Sequence, residues 1–480
     1  MLALGWQLLF SEVRLGRMAT HSGFRYRHAT HGLIVRILLA RLAYVKGCLK
    51  IILIVLATSG AASALSPSRC IDNNECKDAA MSKSIDAARH GRYMEASFGL
   101  LAELGVGAAG QIRDPDVFDQ WSQVWSAMTN QPFPNAGKAA YSHVSPDDIA
   151  TLKAAQARPA IAEIVARAKQ TRIVILDEDH LSPRDRAFGL EVARALQPLG
   201  YSVLAAEALT REKDDGVALE KMERLSKDGY VRRSSGYYLN DPVFADFFRQ
   251  AMRMGYRLVS YESAGFTDEQ TDEARSNRRE QEQAENIVRR ALEPDPSAKV
   301  LVYGGRHHAA KAPINDPKVK ERLWMAERLK RLTGIEPLVI DQVELGEAPA
   351  DRPDVNLYAV ASGKAKAESM VLTNGSQPLV VGLLAGGVDL QVVHPPLKRT
   401  GGRARWIESM GRTPSPIPPS LLPAKGTRLV QAFLADEGSD AIPIDQVLVT
   451  AGKPSPKLML PKARVRYEYQ DKPEDAASSK

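Results

Sequence analysis

The chain has 480 residues, of which 44% are apolar and 25% charged, enough to bury one large or two ordinary cores. Its formal charge of +7 comes from residues 1–64, which hold eight basic residues and one acid, Glu12. The rest of the chain is formally neutral, so net charge gives no argument for a nucleic-acid or anionic-membrane partner.

Near the N-terminus, Lys46 and Lys50 precede the apolar run from Ile51 to Ala64, which ends in Ala62-Ser63-Ala64. A basic region, a short apolar core and a small-residue site read as a secretory signal cut before Leu65. The apolar core is shorter than the roughly 20 residues of a membrane-spanning helix. The mature chain is therefore expected to be periplasmic or secreted, with no transmembrane segment. The stretch upstream exceeds an ordinary n-region, and a start at Met18 or near Val45 would restore a normal length. Cys48 falls within the signal, leaving Cys70 and Cys76. In an oxidising compartment this close pair reads as a small disulfide loop. A metal pair is the alternative, but no further cysteine exists to complete it.

Residues 65–81 read as a polar lead-in, and 82–169 as mainly helical. Trp121, Trp125 and Met128 recur at i, i+4, i+7, the spacing of a packed helix face, and Pro159 to Gln170 has helical periodicity. From 170 to 347 strands alternate with helices. The strand-like runs are "RIVIL", "YSVLAAE", "RLVSYE", "KVLVYGG" and "PLVIDQVEL". Helices are expected over Arg184 to Gly200, Pro242 to Tyr256, Glu273 to Leu292 and Val319 to Gly334. Such alternation predicts an α/β fold with a mostly parallel sheet flanked by helices. Residues 348–470 are richer in Pro and Gly, and runs such as "LVVGLL", "LQVV", "RLVQAFL", "DQVLVT" and "ARVRYEY" predict a small β-rich C-terminal domain. Residues 471–480 read as a disordered tail.

Ligands of open α/β sheets sit outside the carboxyl ends of the strands. The first predicted strand ends in Asp177, Glu178, Asp179 and His180; the second in Glu207; the third in Glu262; the fourth in Gly304, Gly305, Arg306, His307 and His308. Of the six histidines after residue 64, three lie at these ends. Neutral imidazole and carboxylate suit a divalent metal, which acidifies bound water. A metal-free arrangement is the other option, with His180 taking a proton from water. Each group also has a plain reading. Three adjacent acids suit a solvated loop or a helix N-terminus. Glu207 and Glu262 suit structural pairing with arginine, and Gly304-Gly305 suits a turn.

These residues resemble the superfamily of Tiki proteins, the TraB/PrgY group, ChaN-like haem-uptake proteins and erythromycin esterase, over about residues 170–345. The resemblance rests on paired Gly-x-x-His motifs, here Asp177-Glu178-Asp179-His180 and Gly305-Arg306-His307-His308. "LGYSVLAAEAL" resembles the segment that ends in the family's acid, at Glu207, and "SNRREQEQAENI" its Arg-acid helix, at Arg279 and Glu280. Asp177 stands where the family has glycine. The resemblance implies a hydrolase of an amide or ester bond with Glu178, His180, Arg279 and His308 as catalytic candidates. Together with the residue chemistry it points to zinc, manganese or cobalt on His180, His308 and one of Glu207 or Glu262, with Asp177, Asp179 and His307 as additional candidates. A small molecule or peptide would be the substrate. The alternatives are a ChaN-like haem-binding protein, with Tyr237 and Tyr238 near a pocket, and an inactive envelope binding protein.

Overall fold

A computed structural model describes residues 70–106, 112–130, 145–210, 216–263, 271–314, 319, 322–347 and 357–473. The expected signal, the cleavage site and residues 474–480 lie outside the described residues. No helix among the described residues is long and apolar enough to cross a membrane.

Nine strands form the central sheet: β1 (Gln156–Pro159), β2 (Ile173–Glu178), β3 (Tyr201–Ala206), β4 (Arg257–Ser260), β5 (Lys299–Gly305), β6 (Leu338–Asp341), β7 (Met370–Asn374), β8 (Gln377–Pro378) and β9 (Leu390–Val393). Their order is β1-β7-β9-β6-β2-β5-β3-β4, with β8 paired to β7. From β9 to β4 every neighbour pair is parallel. β1, β7 and β8 form an antiparallel edge. Successive side chains of a strand point to opposite faces, and the core divides accordingly. Val174 and Leu176 of β2 pack on one side with helices α5 (Pro183–Leu196) and α7 (Pro242–Arg253), whereas Ile173 and Ile175 pack on the other with α8 (Asp272–Ile287) and α9 (Met325–Thr333). Burial on both faces explains why these strands read as unbroken apolar runs.

The five strands expected between 170 and 347 are β2 to β6. The sheet nevertheless runs past both expected boundaries. β1 comes from the region expected to be helical, and β7 and β9 from the expected C-terminal domain. The short runs "LQVV" and "MVLT" carry no mark of which sheet they join, because edge pairing is set by tertiary contacts. "LVVGLL" is not a strand: Gly382 at φ 72° turns the chain into a 3-10 turn over Gly382–Leu384. The helix expected from Val319 is described only over Met325–Thr333, closed by Gly334 in the left-handed region.

Before the sheet lie α1 (Asn74–Arg89), α2 (Pro115–Thr129), α3 (Pro146–Ala154) and α4 (Ala160–Ala168). α1 starts inside the expected polar lead-in, capped by the Asn73 side chain on the Cys76 N–H, and Cys70–Cys76 closes a disulfide there. Trp121 and Met128 are buried on α2, as their spacing predicts. α6 (Gly216–Asp228) and α7 lie between β3 and β4. The C-terminal strands Thr427–Leu434, Asp445–Thr450 and Val465–Asp471 form an antiparallel sheet with the first in the middle. It locks onto both other parts. Buried Arg249 of α7 pairs with Glu437 at 2.6 Å, and Gln470 donates to the Gly91 carbonyl at 2.6 Å.

Candidate functional site

The chain leaves β2 for β3 in one direction along the sheet and β5 for β6 in the other, with α5 and α9 on opposite faces. That reversal opens a crevice between the carboxyl ends of β2 and β5. Glu178 and His180 stand on one side of it, and Gly305 and His308 on the other.

The three adjacent acids after β2 have three different fates. Asp177 turns away from the crevice and is fully buried, accepting from the Gln342 N–H at 2.8 Å. Burial and the neighbouring Asp341 push its pKa well above the ordinary carboxylate value. Glu178 accepts from Arg186 Nε at 3.0 Å and meets His180 Nδ1 at 2.8 Å. Burial opposes its ionisation, but Arg186 and His180 outweigh that and lower its pKa. Asp179 folds back on the chain, accepting from the Leu181 N–H at 2.9 Å, and its own N–H goes to Asp185, the buried first-turn acid of α5. Only Glu178 serves the histidine.

His180 is 27% exposed in its side chain. Its ring stacks on Tyr238, with centroids 4.2 Å apart and planes 18° apart. Arg186 Nη2 donates to its carbonyl at 2.8 Å, and Arg186 Nη1 to Asp241 at 2.5 Å. Asp241 also caps α7. One arginine thus ties β2, the His180 turn and α7 together. Sequence reading missed Arg186 and Asp241; the signal was the capping pattern Ser182-Pro183-x-Asp185 and Asp241-Pro242, which sets both helix starts beside the strand end. Burial lowers the His180 pKa, yet its bond to Glu178 and the charge of Glu207 raise it further, leaving it above the ordinary value.

Across the crevice, His308 Nδ1 lies 2.8 Å from Glu280 Oε1. Glu280 also accepts from the Met325 N–H at 2.8 Å. Arg279, the preceding residue on α8, occupies the centre. It reaches Glu262 at 3.0 and 2.5 Å, Glu207 at 2.6 Å and His308 Nε2 at 2.8 Å. Guanidinium can only donate, so this last contact needs the lone pair of a neutral His308 ring. Burial and Arg279 lower the His308 pKa, but Glu280 and Glu207 raise it more. Protonating His308 therefore has to release Arg279 from its ring.

Glu207 closes the circle by accepting from the Gly305 N–H at 2.6 Å. The two glycines are required for space rather than for a turn. A Cβ on Gly305 would lie 3.1 Å from His180 Nε2, and one on Gly304 only 2.1 Å from the Tyr261 hydroxyl. Gly304→Ala is expected to destabilise the protein by about 1–3 kcal/mol through overpacking, read as a lower urea midpoint at unchanged slope. Burial disfavours the Glu207 anion, but His308, Arg279 and His180 overcome it and hold its carboxyl well below the usual range. A depressed carboxylate pKa adds stability above the unfolded value, near 4.5, and loses it as pH falls through the folded value. The stability gap between wild type and Glu207→Gln should therefore be largest near neutral pH and shrink in acid, as followed by urea unfolding at pH 7 and pH 3.

The expected metal set is not arranged as one. Glu207, Glu262 and His308 converge, but on the Arg279 guanidinium, which engages all three, while His180 is held separately on Glu178. A divalent ion would have to displace a buried arginine from two carboxylates. Among the described residues no group of three or more His, Cys, Asp or Glu is placed to hold a metal. These donors do not fit zinc, manganese or cobalt. His307 also stands apart, stacked on Trp324 at 5.2 Å and pushed down to about 4 by burial, Arg306 and His308. What the arrangement offers is two imidazoles, each held at Nδ1 by a buried glutamate, on either side of a Glu207–Arg279 pair.

No protein-family model and no curated protein matches the chain. Among solved structures it is similar to the haem-binding ChaN of Campylobacter jejuni, described with cofacial haem, at 9% identity and TM-score 0.25, over 38% of this chain and 85% of that one. It is similar to the C-terminal region of Pasteurella multocida toxin, described with a thiol-protease-like catalytic triad, at 13% identity and TM-score 0.24, over 41% of this chain and 27% of that one. It is also similar to RRSP, a MARTX toxin effector domain from Vibrio vulnificus, at 14% identity and TM-score 0.28, over 51% of this chain and 54% of that one. Overlaps this loose carry no residue role from one protein to another. The chain itself is a mixed α/β protein with a large, mostly parallel sheet between helices and a β-rich C-terminal part.

Proposed function

We propose that the protein hydrolyses an amide or ester bond of a small molecule or peptide by acid–base chemistry, without a metal. The observation that carries this reading is the Glu178–His180 pair. Glu178 fixes the proton on His180 Nδ1, so Nε2 carries the lone pair and faces Gly305 and Glu207 across the crevice. In the proposed reaction Nε2 takes a proton from water as the water oxygen attacks the carbonyl carbon. The resulting imidazolium returns that proton to the leaving amine or alcohol. Glu178 stabilises the imidazolium, and Arg186 keeps Glu178 ionised. Four of the five N–H groups of Arg279 are engaged by Glu262, Glu207 and His308. Its role is to position these groups, leaving one N–H for an oxyanion.

The test is turnover on a panel of fluorogenic peptides and nitrophenyl esters, in chelator, by wild type and by His180→Gln. Hydrolysis that depends on His180 and persists in chelator supports the reading. Hydrolysis only with added metal would favour the metal-dependent alternative, and a Soret band on adding haem, without turnover, the haem-binding one. Export is part of the same proposal, supported by the signal-like segment ending at Ala64 and by the Cys70–Cys76 disulfide. Mass spectrometry of the mature protein from the producing cell should find an N-terminus at Leu65.

A further inference from the structure

Further along the same rim of the sheet, a serine meets a second histidine. β9 runs parallel to β6, so it ends at the rim where β2 ends, and β6 stands between them. β7 pairs antiparallel with β9, setting Met370 opposite Val393. One step beyond that pair, the register brings Ser369, just before β7, to His394, just after β9. Ser369 Oγ lies 2.8 Å from His394 Nδ1.

The partners fix where the protons are. Gln342 Nε2 donates to the Asp177 carbonyl at 2.6 Å and to the Asp185 carbonyl at 3.3 Å, which identifies that end of the amide as nitrogen. The other end, Oε1, lies 3.3 Å from His394 Nε2. An amide oxygen can only accept, so Nε2 carries the proton and Nδ1 of the neutral ring carries the lone pair. Ser369 therefore donates to Nδ1. Burial and the charge of Arg184 push the His394 pKa well below its ordinary value, which favours this neutral ring. Asp185 Oδ1 stands 3.9 Å from the Nε2 side, and Phe188 packs edge-on at 5.0 Å. The imidazole is thus held in place on every side. It is 4% exposed, whereas Ser369 is partly exposed and follows three exposed residues, Lys366, Ala367 and Glu368. The serine is the member of the pair nearer solvent. A hydroxyl, a base with its lone pair on that hydroxyl, and a third group orienting the base make up the arrangement that activates a serine.

We propose that Ser369 is a second nucleophile, separate from the His180 centre, which takes the acyl group of a small carboxylic ester with His394 as its base. Ser369 Oγ attacks the carbonyl carbon and its proton passes to His394 Nδ1. The bond from that carbon to the alcohol oxygen breaks, the alcohol leaves with the proton, and the acyl group stays on Ser369. His394 returns to the neutral ring.

The test uses the full chain and an alkyl fluorophosphonate, whose phosphorus bonds to an activated serine oxygen as fluoride leaves. Peptide mass spectrometry should find a stoichiometric adduct on Ser369 of the native protein and none there in urea-unfolded chain. An excess of p-nitrophenyl acetate should slow the labelling by occupying the same oxygen. His394→Gln should slow it by about 10²–10⁴-fold, the usual contribution of one general base, with circular dichroism establishing that the variant is folded. The comparison with unfolded wild type needs no variant and stands if His394→Gln does not fold. No adduct on Ser369, equal labelling in the unfolded chain, no slowing by the ester, or an undiminished rate in folded His394→Gln would each overturn the proposal. This reaction is read as one adduct at one residue and the His180 reaction as steady-state turnover, so either can fail alone.

Discussion

Replacing Arg279 by alanine is expected to cost about 3–5 kcal/mol of stability at neutral pH, the usual penalty for stranding buried charges. Glu207 and Glu262 are 6% and 5% exposed in their side chains, and Arg279 bonds to both. The loss should have a distinctive pH dependence. Without Arg279 the two carboxylates face each other in a buried site, and their pKa values rise above the unfolded ones. A group whose folded pKa is raised favours the folded state at low pH and loses that contribution as pH rises through the folded value. Mild acid should therefore narrow the stability gap between Arg279→Ala and wild type. Urea midpoints at pH 7 and pH 5 measure this. Equal midpoints for wild type and variant at pH 7 would mean that Arg279 does not hold the crevice together.

The second large effect is on chemistry. His180→Gln should lower turnover by about 10²–10⁴-fold, the usual contribution of one general base, with little change in stability because the ring is partly exposed and the Arg186–Glu178 pair survives its loss. In the proposed reaction the free base of His180 is the active form, and its pKa is raised above the ordinary value by Glu178 and Glu207 against the effect of burial. The rate should thus climb with pH through a value above that of free imidazole. Glu178→Gln removes the carboxylate and should move the limb to lower pH while lowering the maximum. A limb left unmoved in Glu178→Gln would separate His180 from the rate-limiting proton transfer.

The central strands were legible because β2 to β6 are apolar on both faces and bounded by helices with plain start and stop signals. The edge strands were not. β1, with three of its four residues exposed, takes its place from β7, far away in sequence, and β9 joins the parallel strands through β6. At the site, the residues at strand ends could be named in advance because topology alone brings such ends to one rim. Their partners could not. Whether Glu207 and Glu262 bind a metal or an arginine depends on how far the Arg279 side chain of α8 reaches, and no spacing in the sequence encodes that reach. The consecutive acids Asp177 to Asp179 illustrate the same limit. They look like one cluster in sequence, but strand alternation sends Asp177 to Asp341, while Glu178 turns to His180 and Asp179 back to its own turn.

The central claim is that two glutamate-held histidines around Arg279, not a metal, make up the reactive centre. Its most direct test compares turnover of the peptide and ester panel by chelator-dialysed wild type, His180→Gln and His308→Gln. The account predicts full activity in dialysed wild type, near-complete loss in His180→Gln, and a clear loss in His308→Gln. Activity that vanishes on dialysis and returns with zinc, manganese or cobalt, or that survives in His180→Gln, would contradict it.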